Sequence, residues 1–121
     1  MTAYDRKKGP GFERDTADYL AKRFEDDRID RRVKTGNKDR GDIAGVRVHG
    51  QRLVIECKRV ARLNLAGWVT EAETERGNDD ALAGIVIHKR VGAGKKNMAD
   101  QYVTLTLGDL IAIITGERPD K

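Results

Sequence analysis

The chain has 121 residues, 38% hydrophobic and 36% charged, with 24 Lys and Arg against 20 Asp and Glu. That is one domain's worth of chain, with a single modest core under a densely ionic surface. It has no apolar run near the ~20 residues a membrane span needs and no apolar signal stretch behind its charged start. Its single cysteine, Cys57, cannot form an intramolecular disulfide, so a reducing, cytoplasmic setting is expected. Residues 1–60 hold 16 basic and 11 acidic side chains while residues 61–121 hold 8 and 9, which predicts a basic face able to meet a polyanion.

Residues 1–11 read as a flexible basic lead because Gly9-Pro10-Gly11 is a breaker cluster. Residues 12–116 read as the single folded domain, and 117–121 as a disordered tail. From Phe12 to Phe24, Ala17, Leu20 and Phe24 recur at helical steps, and Glu13 lies on the same stripe, so a carboxylate faces whatever this helix covers. Ile29 to Thr35 reads as extended, and Gly36 to Gly41 as loop. Asp42–His49 and Arg52–Arg59 read as a hairpin turning at Gly50-Gln51, a register that sets Asp42 opposite Arg59. In its second strand Leu53, Ile55 and Cys57 share one face and Val54, Glu56 and Lys58 the other.

Leu65, Trp68, Val69 and Ala72 mark a second helix fading near Gly77-Asn78, with Glu71, Glu73 and Glu75 on its charged side. Ala83–Lys89 reads as a buried strand, Val91–Asn97 as a loop, Tyr102–Leu107 as a last strand and Leu110–Thr115 as a short helix. The order is α-β-β-β-α-β-β-α, an α/β fold with a mixed sheet flanked by helices. Its β-α-β passage is expected to be parallel.

Glu13, Asp42, Glu56 and Lys58 carry the candidate chemistry. Clustered carboxylates repel unless a cation holds them, and a few oxygen ligands with open positions suit Mg²⁺ or Mn²⁺. Such a site serves phosphodiester hydrolysis, with a lysine to orient water or steady an oxyanion. The bland alternatives are a carboxylate at a helix N-terminus for Glu13, a surface ion pair for Glu56 and Lys58, and a turn cap for Asp42. Asp39 competes with Asp42 as the loop ligand; Asp42 is preferred because Ile43 begins the strand. Cys57 alternates to the other face and reads as core, and His49, His88 and one cysteine make no zinc pattern.

Asp42-Ile43 followed by Ile55-Glu56-Cys57-Lys58 resembles the D…(D/E)-x-K pattern of the PD-(D/E)xK nuclease superfamily. With Gly9-Pro10-Gly11-Phe12-Glu13-Arg14 and Gly36-Asn37-Lys38-Asp39-Arg40-Gly41 added, residues 9–90 resemble the Holliday junction resolvases of archaea and their phage-encoded relatives. The resemblance implies a restriction-endonuclease-like core, Glu13, Asp42 and Glu56 as metal ligands, Lys58 as catalytic lysine, and a homodimer cutting branched double-stranded DNA in recombination or repair. Two departures stand out: the proline of the superfamily's name is replaced by Gly41, and the helix after E-x-K offers Glu71, Glu73 and Glu75 where a glutamine is usual. Whether one of these glutamates joins the site is open. A flap, a mismatch or a specific duplex as substrate, or a non-catalytic DNA-binding subunit, remain the rival readings.

Lys7, Lys8, Arg14, Lys38, Arg40, Arg59 and Arg62 flank the proposed ligands and are expected to meet phosphates, with Lys95 and Lys96 reaching a second DNA arm. Only six aromatics are present, without basic and aromatic interleaving, so backbone and shape readout is expected over base stacking.

Overall fold

The computed structural model describes residues 3–34, 36 and 38–119. Helix α1 (Ala3–Phe24) is followed by strands β1 (Asp30–Arg31), β2 (Ile43–Ala44), β3 (Arg47–Val48) and β4 (Gln51–Lys58). Helix α2 (Leu65–Asp79), strand β5 (Ala83–His88), a 3₁₀ segment (Lys95–Asp100), strand β6 (Tyr102–Thr104) and helix α3 (Leu107–Thr115) complete the chain. One mixed sheet runs in the order β1-β2-β4-β5-β6, with β3 also paired to β4. The α/β architecture is the expected one, and β4 and β5 are parallel across the α2 crossover.

Helix α1 starts at Ala3 and runs through Gly9-Pro10-Gly11, where a flexible lead over 1–11 was expected. A helix nucleated by the buried stripe propagates backward at far lower cost than it nucleates, so the breaker cluster does not stop it. Met1 and Thr2, and Asp120 and Lys121 in the expected tail, lie outside the described residues. Arg118 in that tail is anchored: its guanidinium donates to Asp109 Oδ1 at 2.8 Å and Leu82 O at 3.0 Å.

Two layers cover the sheet. Phe12 and Ala17 of α1 pack with Ile43 and Ile55 on one face, with Cys57 packed against that cluster; Trp68 and Ala72 of α2 pack with Val86 on the other. The α2 layer lies very close, because a Cβ on Gly84 would come within 2.7 Å of Ala72 O. Only glycine lets the helix backbone sit there, and that closeness brings the α2 carboxylates down onto β4.

The hairpin departs from the expected register. His49 and Gly50 both have positive φ, the signature of a two-residue primed turn, so the turn sits one residue earlier than expected. Arg47 pairs with Arg52, yet Ile43 pairs with Ile55, which leaves one extra residue on the first arm. That residue is accommodated around Gly45 (φ +95°), a bulge that divides the strand expected over 42–49 into β2 and β3. One step beyond Ile43–Ile55, Asp42 lies opposite Glu56 instead of Arg59. The earlier turn moves the partner of Asp42 from Arg59 to Cys57, and the bulge moves it the last step to the glutamate.

Strand β6 ends at Thr104 and α3 starts at Leu107, three residues before the expected Leu110, because the Thr106 side chain caps it by accepting from Asp109 N–H at 3.0 Å. No helix among the described residues is long and apolar enough to cross a membrane.

Candidate metal centre

Four carboxylates and two lysines meet at the carboxyl end of β4. Glu56 is buried at 4% exposure because strand alternation turns it under α2, and Glu75 on that helix is buried at 2%. Buried α2 positions fall at Trp68, Ala72, Glu75 and Asp79, steps of four, three and four that continue the apolar stripe into two acids. Asp79 is accounted for by ion pairs with Arg52 at 3.3 Å and Arg32 at 3.7 Å. Among the described residues Glu75 has no such partner; beside it are Glu56 and Asp39.

Asp39, Glu56 and Glu75 each present an oxygen within 4.8 Å of the other two. This is the tight acidic triad, and it differs from the expected Glu13, Asp42 and Glu56. Asp39 is held in place by accepting from Gly41 N–H at 2.9 Å. Asp42 sits alongside, its Oδ2 accepting Cys57 N–H at 2.8 Å and its Oδ1 paired with Lys34 Nζ at 2.9 Å. Glu13, on α1, is half-buried and paired with Arg31 at 3.3 Å. Its carboxyl is raised by burial and by the Asp42 charge, against the pull of Arg31. The structure therefore puts Glu56 at the centre, Asp42 adjacent, and Glu13 in the same field but outside the triad.

The triad is charge-frustrated. Burial, a hydrogen bond to Glu75 and the charges of Asp42, Glu75 and Glu71 push the Glu56 carboxyl up to about 10. Burial and the neighbouring acids raise Glu75 to about 7. Among the described residues no donor reaches Glu56 Oε1 or Glu75 Oε1, and buried oxygens in that state are costly unless something satisfies them. A proton does so in the metal-free chain, and a divalent cation fits the same place: hard oxygen donors, buried, converging and electron-rich. Asp39, Glu56 and Glu75, with Asp42 beside them, are the residues that would hold it.

Lys58 Nζ lies 2.6 Å from Glu71 and 3.6 Å from Glu56 Oε2. Burial works to lower its pKa, but the Glu71 hydrogen bond and the nearby acids prevail and leave it raised, so at neutral pH it is an ammonium. Lys34 is also raised; burial opposes this and the Asp42 hydrogen bond overcomes it. Of the three α2 glutamates left open by sequence, Glu71 holds Lys58 and Glu75 joins the carboxylates. Glu73, two positions off that face, approaches Arg76 and Arg118. Cys57 packs against the α1-side core and burial pushes its thiol up, which makes it inert.

The expected phosphate contacts separate into groups. Lys38, Arg40 and Lys34 line a cleft of about 230 Å³ with Asp39, directly beside the triad. Arg59 and Arg62 are in a second groove just past Lys58. Arg14 is engaged by Asp18 and Asp30 at 3.1 and 2.8 Å, exposed pairs that phosphate can exchange with at little cost. Lys95 and Lys96 open the 3₁₀ segment and are exposed. Lys7 and Lys8 lie outside the residues whose side chains are described. The chain matches no protein-family model, no curated protein and no solved structure.

Proposed function

We propose that this protein is a metal-dependent endonuclease of the PD-(D/E)xK kind, with a restriction-endonuclease-like core, that hydrolyses phosphodiesters in branched DNA. The four-way junction is the substrate its sequence resemblance implies. The observation that carries the reading is the pair of buried oxygens on Glu56 and Glu75 that no donor reaches among the described residues, set next to a lysine ammonium and behind Asp39, which lines a cationic cleft. An acidic pair kept only for stability would be paired with arginine, as Asp79 is.

When bound, Mg²⁺ or Mn²⁺ supplies the charge that polarises a phosphoryl oxygen and acidifies a water. Asp39, Glu56 and Glu75 would hold that charge in place, with Asp42 adjacent. In the hydrolysis a water oxygen bonds to phosphorus, one P–O ester bond breaks, and the leaving oxygen takes up a proton. Lys58, being an ammonium, is a donor and not a general base: it steadies negative charge on the phosphoryl group or orients the water. Glu71 pre-positions Lys58 in the free chain, and an arriving phosphate competes for it. Lys34, Lys38 and Arg40 draw the strand into the cleft through charge alone.

Cutting two symmetric strands calls for two sites, so a second copy of the chain is part of the proposal. The exposed Leu107, Leu110, Ile111 and Ile114 of α3 offer an apolar surface for it. Labelled four-way junction, flap and linear duplex, incubated with Mg²⁺ or EDTA and with wild type or Lys58→Ala, test the reading. Paired nicks near the branch, lost in EDTA and in the variant, are expected. Intact DNA under every condition would overturn it.

A further inference from the structure

Beyond Lys58 the chain forms a groove that the carboxylate site does not use. It is lined by the segment after β4, from Arg59 to Leu65, and by the end of β5 with Tyr102 of β6. Its volume is about 1110 Å³ and it is open along one side. That exceeds the ~300–1,000 Å³ of ordinary small-molecule pockets, so its shape suits a length of chain better than a compact metabolite.

Its lining has two chemistries and lacks a third. Val60, Leu63, Val91 and Tyr102 are exposed apolar or aromatic surface. Arg59, Arg62, Lys89 and Arg90 are cationic, and no carboxylate among the described residues lines the groove. Among the described residues Arg59 and Arg62 have no ion-pair partner, whereas Lys89 is occupied with the carbonyls of Arg90 and Ala93.

A ladder of planar groups leads out of the core into this groove. Trp68 lies 5.3 Å from His88, His88 lies 5.5 Å from Tyr102, and the Arg90 guanidinium lies 5.6 Å over the Tyr102 ring. Tyrosine and guanidinium planes are the surfaces on which unpaired bases stack. The sequence shows no interleaving of bases' usual partners because these residues come from α2, the end of β5, the turn after it and β6, and meet only in the fold.

Position supplies the occupant. Lys58 and His88 are register partners in the parallel pair, and Lys89 N–H donates to Lys58 O at 3.1 Å. A strand whose phosphate lies against the carboxylates therefore passes directly over the groove with its neighbouring nucleotides. Paired bases hide their faces and would leave the apolar floor bare, whereas unpaired bases cover it while their phosphates meet Arg59 and Arg62.

We propose that this groove seats unpaired nucleotides adjoining the scissile phosphate, stacking them on Tyr102 and Arg90, so that the enzyme selects DNA opened at the branch over continuous duplex. The proposal rests on the nuclease reading for its orientation, but it is tested without catalysis.

Fluorescence anisotropy in EDTA compares a labelled duplex carrying a short single-stranded arm with a blunt duplex of the same length. Wild type is expected to bind the armed DNA about tenfold or more tighter, given roughly 1–3 kcal/mol per stacked base. Tyr102→Ala is expected to lose most of that preference while leaving blunt-duplex binding unchanged. Leu63→Ser, at a largely exposed position on the groove, is expected to act the same way and guards against misfolding of the tyrosine variant. Equal binding of the two DNAs, or variants that weaken both alike, would overturn the proposal. So would an acidic, apolar peptide competing for the groove while the two DNAs bind equally. Discrimination that survives when no DNA is ever cut would sink the nuclease and leave the groove. Mg²⁺-dependent cutting with no discrimination would do the reverse.

Discussion

Glu56→Gln replaces the buried carboxyl by its uncharged isostere, and the change in stability with pH can be worked from the site. In the metal-free protein Glu56 keeps its proton up to about 10, against the ordinary 4.5. Between those values the unfolded chain releases a proton that the folded chain holds. Folding must take it up, so stability falls as pH rises, by at most ~1.4 kcal/mol per pH unit. From pH 6 to pH 8 the loss assigned to this carboxyl is at most ~3 kcal/mol, or about 10 °C in Tm for a domain of this size. Glutamine has nothing to lose, and its amide N–H can donate to Glu75 where the shared proton did. Thermal unfolding followed by circular dichroism in EDTA should therefore show wild type losing several degrees more than Glu56→Gln over that range, with the variant the more stable at pH 8. Parallel declines would refute the claim that the acidic pair is held by a proton.

Metal and proton compete for the same oxygens, so calorimetric Mn²⁺ affinity should strengthen with pH by up to about tenfold per unit for each proton displaced, one from Glu56 up to about 10 and a second from Glu75 below about 7. Glu75→Gln and Asp39→Asn should each weaken it, while Glu73→Gln, whose side chain serves the Arg118 cluster, should not. Lys58→Ala should lower the cleavage rate by ~10²-fold or more and leave Mn²⁺ affinity within a fewfold, since Lys58 lies beside the carboxylates without being a ligand. Lys34→Ala should tighten Mn²⁺ binding without DNA, because it frees Asp42 Oδ1 from its 2.9 Å ion pair; a weaker affinity would contradict that. Gly45→Ala, whose Cβ would come within 2.6 Å of Arg28 O at a positive φ, should destabilise by about 2–3 kcal/mol in chemical denaturation.

Helical periodicity and strand alternation expose more of this molecule than its motifs do. The α1 stripe that includes Glu13, the alternation that buries Glu56, and the parallel β4–β5 crossover all follow from residue spacing. Asp42 is legible as a residue but not as a position, because its place opposite Glu56 depends on one extra residue absorbed at Gly45. A bulge changes every facing pair beyond it without changing the apolar pattern that a reader counts. Glu75 was within reach: the stripe Trp68 and Ala72 continues to 75 and 79, but a glutamate on a helix with three of them reads as solvated surface. What separates Glu75 from Asp79 is arginine supply, and that is tertiary. Arg52 and Arg32 reach Asp79 from β4 and the loop after β1, and among the described residues no arginine or lysine pairs with Glu75. The groove past Lys58 is invisible in sequence for the same reason, since Tyr102 is more than forty residues from Arg59 in the chain.

Buried acids on β4 and α2 are proposed to hold a divalent cation with which the protein cuts DNA. Single-turnover cleavage of a labelled four-way junction in Mg²⁺, with wild type, Glu56→Gln and Glu75→Gln side by side, tests it most directly. Nicking by wild type that EDTA abolishes is expected, with a loss of ~10²-fold or more in each variant while junction binding persists. Full activity in Glu56→Gln, or cleavage indifferent to EDTA, would contradict it.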